Sequence, residues 1–196
     1  MTRLVFSSKA WLAAGLIIAS TAAVAAPRAL VAKDSRIEFV VKEMGVPVDG
    51  KFASFEAAID IDAARPEQSS ANLRIDVASL TTGNDEADAI ATGPDWLDKD
   101  HARFAVFKST AIRALGGGRY EARGTLTIRN KARDISLQFS GVDQADGRML
   151  VTSEFSIRRS EFGIGGGVWN QGGVVAEAVP VKVRLLLAPA GARVGP

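Results

Sequence analysis

The chain contains no cysteine, one histidine (His101) and one tyrosine (Tyr120) among 196 residues. Without cysteine there are no disulfides and no thiol chemistry, so the fold rests on its apolar core alone. One histidine leaves no set of histidines to ligate a metal, and any Ser-His-Asp arrangement would have to use His101. That residue stands in Asp98-Lys99-Asp100-His101-Ala102-Arg103, a polar connection without a nucleophile elbow. Asp95, Asp98 and Asp100 lack the alternating spacing, glycine and final glutamate of a calcium loop. Catalysis by the familiar side-chain combinations therefore has little to draw on.

Long apolar runs are also missing, with one exception at the N-terminus. Arg3 and Lys9 precede the apolar stretch Trp11 to Ala19, and Ala23-Val24-Ala25 supplies an A-x-A cleavage site. This is the pattern of a secretory signal peptide over residues 1–25. Its apolar part is shorter than the roughly 20 residues that span a bilayer. The expected location is the periplasm. Removing residues 1–25 takes away Arg3 and Lys9 and no acid, leaving 22 basic against 22 acidic residues. The basic excess belongs to the leader, and no basic patch for nucleic acid remains.

What is abundant is alternation with period two. Ile37, Phe39 and Val41 share one face of a first strand; Phe55, Ala57, Ile59 and Ile61 share one face of a run from Phe52 to Ile61. The same pattern recurs around Leu73–Val77, Phe104–Ile112, Tyr120–Arg129, Asp134–Phe139, Met149–Arg158 and Val179–Leu187. Turns are expected at Val48-Asp49-Gly50, Gly116-Gly117-Gly118, Arg129-Asn130-Lys131 and Asp146-Gly147. About eight strands, each with one polar face, predict an all-β, antiparallel sandwich or barrel. The exception is Thr82 to Asp100, where Asn84 caps a short helix through Ile90 that Gly93-Pro94 ends. An eight-stranded barrel is either filled by side chains or holds one slender ligand. Small inward residues such as Ala57, Ala122, Gly124 and Ser153 leave room if they cluster; interdigitated packing without a cavity is the alternative.

Residues 163–173 contain six glycines after a strand. A dinucleotide fingerprint needs a helix to follow, and a phosphate loop needs Lys with Ser or Thr; neither is there. The stretch reads as a long connection between the last two strands, anchored by Phe162 and Trp169. It serves as a plain hairpin or as a flap over a barrel mouth.

Several short stretches together resemble one family. They are Phe39-Val40-Val41-Lys42, Gly50-Lys51-Phe52 with Phe55, Ser79-Leu80-Thr81-Thr82-Gly83-Asn84 with Asp88, Trp96-Leu97-Asp98, Phe104 to Ser109, Gly124 to Ile128, and Arg159-Ser160-Glu161-Phe162-Gly163-Ile164. In that order and at that spacing, residues 31–189 resemble the YceI-like family of periplasmic, lipocalin-like proteins that bind polyisoprenoids. The chain departs from the pattern at Glu43-Met44-Gly45, at Glu161 and at Ala102-Arg103. The resemblance implies one domain over residues 26–196: an eight-stranded antiparallel lipocalin-like barrel with one short helix packed on it. It implies a binding protein rather than an enzyme, with an isoprenoid lipid (a quinone or a polyprenyl phosphate) as ligand and no other cofactor. An isoprenoid tail has no hydrogen-bonding groups, so apolar surface and exclusion of water suffice to bind it. Phe39, Phe52, Phe55, Phe107, Leu126, Phe155 and Ile157 are the candidate lining, and Trp96, Phe162 and Trp169 the candidates for closing the mouth or contacting the head group. Arg159 is the candidate head-group contact, since a guanidinium offers several fixed donors; an ion pair with Asp88 or Asp98 is its alternative. The partners expected besides the lipid are inner-membrane proteins, met transiently, and a second copy of the chain in a homodimer. A periplasmic stress-related or scaffold protein with a filled barrel, and an enzyme acting on such a lipid, are the competing functions.

Overall fold

A computed structural model describes residues 28–166, 169 and 174–189. The leader expected over 1–25, the rest of the glycine-rich stretch and the C-terminal tail lie outside the described residues.

The period-two runs become strands. In chain order they are β1 (Arg36–Glu43), β2 (Val46–Phe52), β3 (Phe55–Asp60), β4 (Ser70–Asp76), β5 (Leu80–Thr81), β6 (Phe104–Gly116), β7 (Arg119–Ile128), β8 (Lys131–Asp143), β9 (Met149–Arg158) and β10 (Ala178–Leu187). All pair antiparallel, in the order β3-β4-β6-β7-β8-β9-β10-β1-β2-β5. The ten segments make eight continuous runs. β2 and β3 are one run broken at Ala53–Ser54, and β4 and β5 are one run broken by a 3₁₀ turn at Val77–Ser79. The two breaks face each other and stay bonded: Ala53 N–H donates to the Ser79 carbonyl and Asp76 N–H to the Ser54 carbonyl, both at 3.0 Å. The edges β3 and β5 therefore belong to paired runs, and the sheet closes as an eight-stranded barrel.

One end of the barrel is sealed by the chain itself. Residues 28–31 lie between the ends of β3 and β10, with Val31 N–H on the Leu186 carbonyl (2.8 Å) and Ala188 N–H on the Ala29 carbonyl (2.7 Å). Beneath them Leu185 and Leu187 are buried to 2% and 0% exposure, beside Met149, Val151, Tyr120 and Phe139. The other end carries helix α1 (Asp85–Thr92), capped as the sequence indicated: the Asn84 carboxamide accepts from Glu86 N–H and Ala87 N–H. Asp88 fastens α1 to the end of β5, taking hydrogen bonds from the Thr82 N–H (2.6 Å) and hydroxyl (2.7 Å). The Thr82 hydroxyl, first among the causes, holds that carboxyl below the usual range.

Three of the four expected turns form where they were read. Arg129-Asn130 is a tight hairpin with both residues at positive φ, and Gly116–Gly118 and Gly147 also lie at positive φ. Val48-Asp49-Gly50 is not a turn. It lies inside β2, and the hairpin tip is Met44-Gly45 (φ 47° and 83°). Gly50 is there for a different reason: it pairs with Phe39, and a Cβ on it would fall 2.2 Å from the Phe39 ring. The missing side chain makes room for the aromatic ring on the inner face.

Gly124 likewise adds no interior room. It stands opposite a bulge between Ser109 and Ala111 on β6, and a Cβ there would lie 2.3 Å from the Lys108 carbonyl oxygen. The glycine permits close backbone approach where the bulge bends the strand. Gly124→Ala is expected to destabilise the barrel by roughly 1–3 kcal/mol, because backbone must move to admit the methyl group. The denaturant midpoint measures this; an unchanged midpoint would mean that the bulge relaxes freely.

Candidate functional site

The inward faces of the eight runs do not fill the barrel. Three apolar cavities follow one another from the sealed end to the α1 end, and each is small enough that side chains shape it closely. The first, of about 100 Å³, lies among Ile59, Leu73, Phe107, Ala122, Leu137, Phe139, Val151 and Leu185. The second, of about 140 Å³, lies among Phe39, Phe52, Val77, Leu80, Leu97, Ile128, Ile157, Arg159 and Ile164. Ile37, Ile75, Ala105, Leu126, Phe155 and Val181 line both, so these two cavities meet at a ring of side chains that forms a neck. The third, of about 130 Å³, shares Phe39, Val41, Ala91 and Trp96 with the second and reaches Glu43, Val48, Thr82, Ile90, Trp169 and Val175 beside α1. For scale, an apolar protein cavity of roughly 150 Å³ takes up benzene. Three such spaces in series suit a slender chain, not a bulky ring system at depth.

The walls make few polar demands. On the first cavity Ser153 turns its hydroxyl to the Gln138 carbonyl (2.7 Å), so its polarity is spent on the backbone. The one charged group on the second is Arg159, 4% exposed. Its guanidinium does not meet Asp88 or Asp98. Nε donates to the Ala176 carbonyl (3.2 Å), one terminal nitrogen to Ile164 and Gly165 (2.9 Å each), and the other to Val175 (3.2 Å) and Trp169 (3.3 Å). Five donors meet five carbonyls, the full capacity of the group. Glu177, next along the chain, accepts a short hydrogen bond from the Ser160 hydroxyl, which holds its carboxyl below the usual range, with the nearby Arg159 charge adding to the effect. Arg159 thus gathers both ends of the glycine-rich connection around itself.

A second arginine fastens this end from outside. Arg129, at the β7–β8 turn, donates to the carbonyls of Pro94 (2.7 Å), Asp95 (3.3 Å) and Gly163. Gly165 N–H and Gly166 N–H in turn donate to the Asp95 carbonyl at 2.9 and 3.1 Å. Gly165 has φ 68°, and a Cβ on it would sit 2.8 Å from the Arg159 guanidinium and 3.4 Å from Trp96. Residues 163–166 are therefore docked against the turn after α1. The part of the connection on which a flap would depend lies outside the described residues.

Of the sequence candidates, Phe39, Phe52, Phe107, Leu126, Phe155 and Ile157 all line a cavity. Phe55 packs on the core without lining one, and Phe162, 1% exposed, is wholly core. Trp96 and Trp169 meet edge to face with ring centres 5.6 Å apart, and both line the third cavity. The aromatic candidates carried most of the sequence reading. It passed over the neck residues Ile37, Ile75, Ala105 and Val181, although three of these sit on faces the alternation had marked as buried. His101 lines none of the cavities. Its side chain is 80% exposed and hydrogen-bonds Asp98 at 2.8 Å, a contact that raises its pKa.

The YceI-like domain pattern matches residues 29–187 of this chain. The crystal structure of BcnA from Burkholderia cenocepacia is 33% identical, superposes with a TM-score of 0.78, and covers 81% of this chain and 99% of its own. A polyisoprenoid binding domain from Saccharophagus degradans is 18% identical, with a TM-score of 0.68 over 84% of this chain and 99% of its own. Among curated sequences, a UPF0312 protein of Pseudomonas savastanoi is 29% identical over 103 residues, 52% of this chain and 54% of the relative. One from Shewanella oneidensis is 26% identical over 134 residues, 65% and 70% of the two chains. The chain thus spans about half the length of the first of these curated relatives. With the domain pattern running from the sealing segment at residue 29 to the last residue of β10, the chain belongs to the YceI-like domain family.

Proposed function

We propose that this protein is a periplasmic carrier for a long-chain isoprenoid lipid, a quinone or a polyprenyl phosphate, whose tail it holds inside the barrel without chemical change. The observation that carries this reading is the series of three apolar cavities meeting end to end. Along β10 the lining residues run from Val179 to Leu185. Six residue steps of about 3.4 Å give roughly 20 Å of apolar wall. That is the shape of a long, slender tail, and burying apolar surface at about 25 cal/mol per Å² supplies the driving force without any reactive group. The polyisoprenoid binding domain from Saccharophagus degradans, built on the same fold, supports the ligand class. The leader pattern in residues 1–25 supports export.

The test is to purify the exported protein without detergent, extract it and analyse the extract by lipid mass spectrometry. A stoichiometric isoprenoid is the expected result. A protein that comes out empty and refuses both added quinone and added polyprenyl phosphate would point instead to a scaffold with no cargo.

A further inference from the structure

The indole Nε1 of Trp96 is fully buried and finds no hydrogen-bond acceptor among the described residues, the one buried side-chain polar atom so placed there. An indole N–H can only donate, and a buried donor without an acceptor is a position that native structures rarely leave unexplained. Trp96 stands where the second and third cavities meet. Below it the wall of the second cavity is apolar, apart from an arginine whose five donors are already taken. Above it the third cavity adds the polar groups of Thr82 and Glu43. Trp96 therefore marks the level at which an apolar tail would give way to something that accepts a hydrogen bond.

The charges around it say more. Glu43 is the one charged side chain among the described residues lining the third cavity. The cavity's other described lining residues carry no charge, Trp169 and Val175 of the glycine-rich connection among them. A phosphate or diphosphate seated there would face a carboxylate with no free cation to offset it. An uncharged acceptor would not. Resting on the carrier reading, we infer that Trp96 Nε1–H is the head-group donor of the site, and that the head group it takes is uncharged and accepts a hydrogen bond, as a quinone carbonyl or an alcohol oxygen does.

The experiment uses three ligands with the same short isoprenoid tail: a quinone, the plain hydrocarbon and the prenyl monophosphate. Affinities are measured for the full exported protein and for Trp96→Phe, which keeps an aromatic body and removes the N–H. Wild type is expected to bind quinone more tightly than hydrocarbon, and Trp96→Phe to reduce that preference roughly threefold to tenfold, the worth of one ordinary hydrogen bond. Any change in apolar contact that comes with the smaller ring acts on quinone and hydrocarbon alike and cancels in that ratio. In wild type the phosphate should bind more weakly than the quinone.

A second measurement avoids dependence on the variant's folding. In ¹⁵N-labelled wild type the Trp96 indole N–H resonance should move downfield on adding quinone and not on adding hydrocarbon. An unchanged quinone preference in Trp96→Phe, or an indole resonance indifferent to the quinone oxygen, would overturn the donor role. Tighter binding of the phosphate than of the quinone would overturn the uncharged head group. Failure of all three ligands to bind wild type would instead sink the carrier reading itself, and this inference with it.

Discussion

On the carrier reading proposed above, Ala105→Phe should restrict the barrel from long isoprenoid tails to short ones. Ala105 lies on β6 opposite Ile75 of β4, is 6% exposed, and lines both the first and the second cavity. It is the smallest member of the ring that forms the neck. A phenyl group there projects toward Leu126, Phe155 and Val181 and occupies space the fold leaves between the two cavities. A tail that now reaches the sealed end would have to stop above the neck. Excluding one isoprene unit, five carbons, forfeits roughly 3–4 kcal/mol at about 0.8 kcal/mol per CH₂, a hundredfold or more in affinity. Ligands short enough to end in the second cavity should bind as before. Titration of wild type and variant with prenyl chains of increasing length, alongside thermal melts of both, would read this as a ceiling on chain length. Equal loss of affinity for short and long tails, in a variant that melts normally, would mean that the tail does not pass the neck.

That prediction rests on a residue which the sequence gives no reason to choose. Period-two alternation marks eight runs as strands and the buried face of most of them, because burial on one side of a pleated run constrains every second side chain; it assigns no face to β6 and leaves Val48-Asp49-Gly50 of β2 as a turn. It could not separate residues that line space from residues that fill it. Phe155 and Phe162 are both apolar aromatics close to the same turn, yet one forms the neck and the other is core. The difference depends on what stands across the barrel, which is set by strands far away in the chain. Asp49-Gly50 misled for a related reason. The pair reads locally as a turn, whereas its glycine answers to the ring of Phe39 on the neighbouring strand. Gly124 likewise answers to the Lys108 backbone across the bulge. Arg159 and the acidic side chains that could meet its donors are both visible in the sequence. Its partners turned out to be backbone carbonyls, which every residue has and no sequence displays. The α1 cap, by contrast, was legible because Asn84 and the amides it accepts from are only two and three residues apart.

Arg159→Met should lower stability substantially, even in the absence of lipid. Methionine keeps much of the apolar stem and removes all five donors. The carbonyls of Ile164, Gly165, Trp169, Val175 and Ala176 then lose their side-chain partner together. Removing the partner from a buried, fully bonded charged group costs roughly 3–5 kcal/mol. At about 2–4 °C per kcal/mol for a domain of this size, the melting temperature should fall by roughly 6–20 °C. Arg159→Lys should recover only a fraction, because an ammonium has three donors at one point and cannot span carbonyls arranged around a planar fork. Amide hydrogen exchange should speed up at Ile164, Gly165 and Gly166, whose amides are tied to Arg159 and Asp95. A head-group role for Arg159 predicts the opposite pattern. Lipid-free stability would be nearly unchanged, lysine would serve almost as well as arginine, and the loss would fall on anionic lipids while quinones bound normally. Melting curves of the lipid-free variants, followed by affinities for a prenyl phosphate and a quinone of equal tail, decide between the two. With every donor of Arg159 already committed to the connection it holds, the expected loss is of stability first, and of affinity for both ligands in equal proportion.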